Sequence, residues 1–265
     1  MSSFLLEYKP LTKFDLSLGE VAEVPWDTEI FKFKIGQYKL INFDYSKIDK
    51  QCLGLELDKW CKKNQIIMIG CNIESSLNQA VILLQELNFF FVDSIVKVQL
   101  NNFKKLELQK PRFKIRQIEV RDYAAVKKIA EISFKHGRYF ADFRFPKDLA
   151  RLRYKRWIEM GIENISENNK IYVLEIQKDI KGFFYVVFKN NKTVYLSLAA
   201  VKPEQQHGIL GYHLYLAVLN KLKDNCIEKV EGSVSLSNIS TINLLLSFGF
   251  TCNRNELIFH KFSQS

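Results

Sequence analysis

The chain has 265 residues, 47% of them hydrophobic, which is enough apolar material for one large domain or two small ones and too much for a disordered protein. Its net charge of +10 raises nucleic acid as a partner, but the lysines are scattered through every segment, and a binding groove needs them clustered. Eight of the nine arginines, by contrast, fall between Arg112 and Arg156, as if something anionic were held there.

No apolar run approaches the roughly 18 residues of a membrane span. The opening MSSFLLEYKPLTKFD has no basic segment ahead of an apolar core, so the expected location is the cytoplasm, with no membrane partner. Cys52, Cys61, Cys71, Cys226 and Cys252 are odd in number and never spaced as a metal or redox pair. His136, His207, His213 and His260 also lack the close pairing of a metal site, so no metal is expected.

In chain order, Ile35 to Phe43 reads as a strand, Ile48 to Lys63 as a helix and QIIMIGCNI as a strand. Leu77 to Leu87 then reads as a helix and FFFVDSIVKVQL as a long strand. The polar stretch NNFKKLELQKPRF, which contains Pro111, closes this α/β block and puts a boundary near Lys110, giving domains 1–110 and 111–265. FKIRQIEV opens the second block as a strand. Asp122 to Phe134 and Phe145 to Gly161 carry helical spacing, the second with Pro146 in its first turn. Arg151, Arg153 and Arg156 read as the solvated side of that helix.

KIYVLEIQ, GFFYVVFK and TVYLSLAAV, joined at Lys178-Asp179 and Asn190-Asn191, predict an antiparallel meander. A helix, a strand, a helix and a strand follow. LLQELNFFF (Leu83 to Phe91) lies over LLLSFGFTC (Leu244 to Cys252) without a gap, with Asn88 in the place of Gly249. Helix-end chemistry and a degenerate duplication explain this echo equally well. LIFHKF (Leu257 to Phe262), if it lies at an edge, is a candidate seam for a homodimer.

TVYLSLAAV, KPEQQHGILG, YHLYLAVLNKLK, KVEGSVSLSN and ISTINLLLSFGF follow one another in the order of the acyl-CoA-binding half of GNAT-family N-acyltransferases, which this segment resembles. The resemblance implies a GNAT α/β fold, a mixed, mostly antiparallel sheet flanked by helices, here preceded by a smaller α/β N-terminal domain. It implies acyl-CoA as co-substrate. In such a fold the strand Val194 to Val201 splays from its neighbour, with Ala199 and Val201 beside the pantetheine arm and backbone N–H groups at Leu198 and Ala200 holding the oxyanion.

The loop Gln206, His207, Gly208, Ile209, Leu210, Gly211 and Tyr212 would cradle the pyrophosphate. Asn238 would cap the next helix and bond the pantetheine. The family's Arg/Gln-x-x-Gly-x-Gly/Ala loop is matched imperfectly, because reading from Gln206 gives Gly211 but Ile209 in the middle. The family's proton-donating Tyr is replaced by Leu245. Tyr195, Tyr212 or His207 substitutes for it, the thiolate leaves unprotonated, or the chain is an inactive relative.

Glu131 to Ile158 and Val24 to Leu40 resemble passages of acyltransferases acting on nucleotide-linked aminosugars, the dTDP-4-amino-4,6-dideoxygalactose type of surface-polysaccharide synthesis. This second resemblance implies a dTDP-aminosugar acceptor, with Arg138 and Arg144 on its pyrophosphate, Tyr139 or Phe143 stacked on thymine, and Asp142 among them. The competing expectation is that the aromatics pack the core and the arginines pair with Asp142. His136 is the preferred base for the amine, ahead of Asp142 and Glu175. No cysteine is placed as a nucleophile, so transfer of an acetyl or short hydroxyacyl group is expected to be direct. The alternatives are a protein, peptide or antibiotic amine as acceptor, or an inactive basic relative that binds RNA or protein.

Overall fold

A computed structural model describes residues 13–16, 19–41, 44–206 and 209–263. Strands β1 (Lys13–Leu16) and β2 (Gly19–Glu23) precede helix α1 (Pro25–Phe31), where Pro25 occupies a first-turn position whose N–H would have no helical partner. Then come β3 (Ile35–Leu40), α2 (Lys50–Asn64), β4 (Met68–Glu74), α3 (Asn78–Glu86) and β5 (Phe90–Leu100). The second half runs β6 (Ile115–Gln117), α4 (Tyr123–Ser133), α5 (Arg138–Ala141), α6 (Lys147–Glu163), β7 (Asn169–Ile176), β8 (Asp179–Asn190) and β9 (Thr193–Val201). It ends with α7 (Leu210–Lys223), β10 (Lys229–Ser235), α8 (Ile239–Ser247) and β11 (Thr251–Phe262).

The strands of the described residues form one eleven-stranded sheet in the order β1-β2-β3-β4-β11-β5-β10-β9-β8-β7-β6. Only β3 with β4 and β9 with β10 are parallel; every other neighbouring pair is antiparallel. The order is symmetric about the seam between β11 and β5 apart from β6, which has no counterpart among the described residues, with β4 answering β10 and β3 answering β9. Each half's last strand lies in the other half's sheet, since β5 pairs with β10 and β11 with β4.

The echo between Leu83–Phe91 and Leu244–Cys252 is therefore an architectural repeat. Both helix ends close in the same way: Asn88 (φ 61°) and Gly249 (φ 85°) are left-handed, and Phe89 N–H reaches Leu84 O at 2.8 Å as Phe250 N–H reaches Leu245 O at 3.1 Å. The expectation for LIFHKF is corrected. It belongs to β11, which is hydrogen-bonded along both sides, so it offers no edge to a second copy.

One face of the second half packs under α7 and α8, around Val96, Val98, Leu196, Leu214 and Leu245. The other packs under α4 and α6, around Ile129, Ile158, Phe183 and Leu198. In the first half α2 and α3 cover Tyr38, Leu57 and Leu83. Each such fully buried side chain contributes about 1.5–3 kcal/mol.

Helix α1 docks on α6 through a charge pair, which corrects the reading of Arg153 as solvated. Arg153 is 7% exposed, its Nε lies 2.7 Å from Asp27 Oδ1, and its guanidinium stacks 4.5 Å from the Trp26 ring. Arg151 is exposed, as expected for that helix face.

Candidate active site

Strands β9 and β10 pair only from Thr193 opposite Lys229 to Leu196 opposite Gly232. At Ser197 the chain bulges: Tyr185 of β8 faces Leu198, while the next residue, Val186, faces Leu196. A bulge bends its strand and re-aims the backbone after it. Beyond it, Leu198, Ala199, Ala200 and Val201 have partners on β8 but none on β10, and Ser233, Val234 and Ser235 have partners on β5 but none on β9. The fork presents unpaired backbone amides to which an extended amide-bearing arm can add as a strand. At its base the Tyr195 hydroxyl donates to Ser233 Oγ at 2.8 Å, and burial pushes its phenol up to about 12.

Helix α7 follows β9. Its N-terminal residue, Ile209, gives no side-chain cap, its first turn carries no acid, and a Cβ at Gly211 would meet nothing within 4 Å. The partial positive charge of such an end suits a phosphate. The counterpart in the first half differs. There α2 is capped by Asp49, whose carboxylate accepts from Cys52 N–H at 2.9 Å, so a negative group already occupies the position. Of α2 and α7, the helices that connect the two parallel pairs, only α7 begins without a side-chain cap.

The remaining loop residues are placed as follows. Gln206 turns to α4, its Nε2 donating to Ser133 O at 2.9 Å. Tyr212 stacks on Phe248 at 5.0 Å. His207 and Gly208 lie outside the described residues. Asn238 caps α8, accepting from Thr241 N–H at 3.3 Å. Leu245 is 2% exposed in the core between α8 and the sheet, leaving no phenol there.

A chain of polar groups runs from the open end of β10. His136 Nδ1 lies 3.1 Å from Ser237 Oγ, Ser237 Oγ lies 2.9 Å from Ser235 Oγ, and Ser235 donates to Asp93 Oδ1 at 2.9 Å. Asp93 is 5% exposed and its Oδ2 has no partner. Burial pushes its carboxyl up, against the hydrogen bonds from Ser235 and Ser94 and the charges of Arg138 and His136. His136 is positioned by its neighbours. Gly137 takes φ 108°, a Cβ there would fall 2.8 Å from the Tyr154 hydroxyl, and that hydroxyl donates to His136 O at 2.7 Å.

Asp93 was missed in the sequence. Its signal is an acid inside the apolar strand FFFVDSIV, but only the exchange of β5 into the other half's sheet brings it to Ser235.

Of the residues expected on a sugar nucleotide, Arg138 is close enough for its charge to act on the Asp93 carboxyl, and Phe143 is 87% exposed. Arg144 and Tyr139 are engaged within the fold. Arg144 clamps Asp142 through Nε to Oδ1 and Nη2 to Oδ2, both at 2.8 Å. Asp142 also receives His260 Nδ1 at 2.8 Å. Tyr139 is 4% exposed between Phe31 and Phe145 and donates to Asp27. Glu175 accepts from Arg116 of β6 at the far edge of the sheet, two strands beyond β9, and so lies away from the fork.

Among the described residues no helix is long and apolar enough to cross a membrane, and no group of three His, Cys, Asp or Glu side chains is arranged to hold a metal.

No protein-family model matches the chain, and no curated protein matches it. Solved structures do. A functionally unknown conserved protein from Staphylococcus epidermidis superposes with a TM-score of 0.65 at 12% identity, covering 98% of this chain and 96% of that one. A GCN5-related N-acetyltransferase from Sphaerobacter thermophilus gives 0.65 at 13% identity over 94% and 78%. A tandem GNAT protein from the clavulanic acid biosynthesis pathway gives 0.60 at 12% identity over 98% and 86%. With its mixed, mostly antiparallel sheet, its flanking helices and the symmetry of its two halves, the chain has the α/β fold of the GNAT N-acetyltransferases, matched over nearly its whole length.

Proposed function

We propose that the protein is a cytoplasmic N-acyltransferase that moves an acyl group, acetyl or a short hydroxyacyl, from acyl-CoA to the amino group of a dTDP-linked amino-dideoxy sugar for surface polysaccharide. The observation that carries the acyl-CoA reading is the β9–β10 fork, bulged at Ser197 and followed by the acid-free N-terminus of α7. The backbone amides of Leu198 to Ala200 receive the thioester carbonyl and hold its developing negative charge. The N–H groups at the start of α7, with Gly211 leaving space, receive the pyrophosphate. Tyr195, on Ser233 at the fork, returns a proton to the departing thiolate. His136 heads the polar route by which the amine loses its proton.

The sugar-nucleotide part rests on the passage Glu131 to Ile158 and on Arg138 and the exposed Phe143 near the same end of β5. A second reading, a protein, peptide or antibiotic amine as acceptor, gains from Arg144 and Tyr139 being engaged inside the fold.

The test is mass spectrometry of dTDP-3-amino- and dTDP-4-amino-dideoxyhexoses incubated with the protein and a panel of acyl-CoAs, beside calorimetric titration with each acyl-CoA. A mass gain in one combination identifies both substrates. Acyl-CoA binding without any gain moves the reading to another amine. No binding at all sinks acyl transfer and favours the inactive, RNA- or protein-binding relative.

A further inference from the structure

We propose that Asp93, supplied by the first half of the chain, receives the acceptor's ammonium group at the second half's fork and takes the proton that must leave before attack, which Ser235, Ser237 and His136 then carry out. This rests on the acyl-transfer reading and adds what the site selects: a primary amine that arrives as a cation.

Three observations support it. Asp93 is 5% exposed, yet one of its two carboxyl oxygens has no partner. A buried polar atom left unsatisfied is costly, and such atoms are kept where a ligand completes them. Next, each link from Asp93 to His136 is at most 3.1 Å, and the chain runs from a buried acid to exposed Ser237 and half-buried His136. Finally, the first link, Ser235, ends β10 beyond its last pairing with β9, on the strand that bounds the fork. The charged and titratable groups around the carboxylate are Arg138 of α5, His136 before it and Tyr154 of α6.

The step balances. The ammonium R–NH3+ gives one proton to Asp93 and becomes R–NH2. Asp93 passes a proton to Ser235 Oγ as the two hydroxyls reverse their donor sense, Ser237 hands its own to His136 Nδ1, and the imidazolium releases it to solvent. The amine lone pair forms the C–N bond, the C–S bond breaks with its electron pair going to sulfur, and the second nitrogen proton ends on the thiolate.

The experiment compares wild type, Asp93→Asn and Ser237→Ala, with dTDP-4-amino-4,6-dideoxygalactose and acetyl-CoA as probes. It reads kcat/KM against pH, acetyl-CoA affinity by calorimetry and thermal unfolding. Asp93→Asn is expected to lower kcat/KM about 100-fold or more and to abolish the acidic limb of the pH profile, with acetyl-CoA affinity kept. Its Tm should equal or exceed that of wild type, because a neutral amide replaces a buried charge. Ser237→Ala, at an exposed position, should cost about tenfold in kcat. An Asp93→Asn protein with the wild-type pH profile overturns the proposal while leaving acyl transfer standing. A clear fall in its Tm makes Asp93 a structural hub and overturns the proposal without reference to any acceptor. Wild type that fails to bind acetyl-CoA overturns the acyl-transfer reading itself.

Discussion

On the acyl-transfer reading Tyr195 acts as the proton donor, while Leu245 packs in the core. Tyr195→Phe removes the hydroxyl bonded to Ser233. Because a thiol with a pKa of about 8.5 leaves well unaided, kcat should fall by about tenfold or less, with acetyl-CoA affinity unchanged in steady-state and binding measurements. His136→Asn should cost at least about tenfold in turnover with equally little effect on CoA affinity; unchanged turnover removes His136 from the reaction.

On β11, His260 is fully buried, and its Nδ1–H donates to an ionised Asp142. Burial alone would raise the Asp142 carboxyl, but the hydrogen bonds from His260 and Arg144 outweigh it and hold the group well below the usual carboxylate range. Burial pushes the His260 imidazole down, so it is neutral. Both groups are depressed in the folded state, so the stability linked to them is complete above their unfolded values, about 6.5 and 3.9, and is lost as pH falls. Urea midpoints should therefore fall from pH 7 to 5 as the unfolded chain takes up the histidine proton, and fall again below about pH 4. His260→Gln should flatten the first decline.

The helices that connect the parallel strands, α2 and α7, are similar in length and differ at their N-termini. Asp49 caps α2, and among the described residues no side chain caps α7. Gly211→Asp puts a carboxylate into open space in the first turn of α7. The helix dipole should make this neutral or stabilising in thermal unfolding, while acetyl-CoA affinity falls at least about tenfold through repulsion of the pyrophosphate.

Local elements such as these were legible in the sequence. The alternation in TVYLSLAAV fixes β9 to the residue, and helical spacing finds α2, α4, α6, α7 and α8 within a few residues. The short α5 and the segment before β3 were not, since four residues cannot show a period. Long-range pairing was also hidden. Arg153 finds Asp27, which is 126 residues away, and Asp93 finds Ser235 142 residues on. No local pattern encodes either contact, so one arginine read as solvated and the acid beside the fork was not seen. The Asn88/Gly249 echo was visible, but its meaning depended on which strand each helix end feeds.

At the scale of the whole molecule, the exchange of β5 and β11 joins the halves through backbone hydrogen bonds of one continuous sheet. We take the boundary near Lys110 as a seam in the chain rather than in the sheet, because a cut there severs no strand yet leaves each fragment without its own last strand's partners. Fragments 1–110 and 111–265 should each lack a cooperative thermal transition, and refolding them together should restore one, with a single peak of summed mass in size-exclusion chromatography. Two independently cooperative fragments would show that the exchange is dispensable.

The exchange also sets the order of biosynthesis against the order of space. The strand between β4 and β5, at the middle of the sheet, is β11, so it leaves the ribosome after every element that surrounds it. At about 5–20 residues per second, β5 waits roughly 10–30 s for that neighbour. During the wait β4 is likewise without its β11 partner. A β4–β5 pairing formed in that interval would have to open before β11 could enter between them.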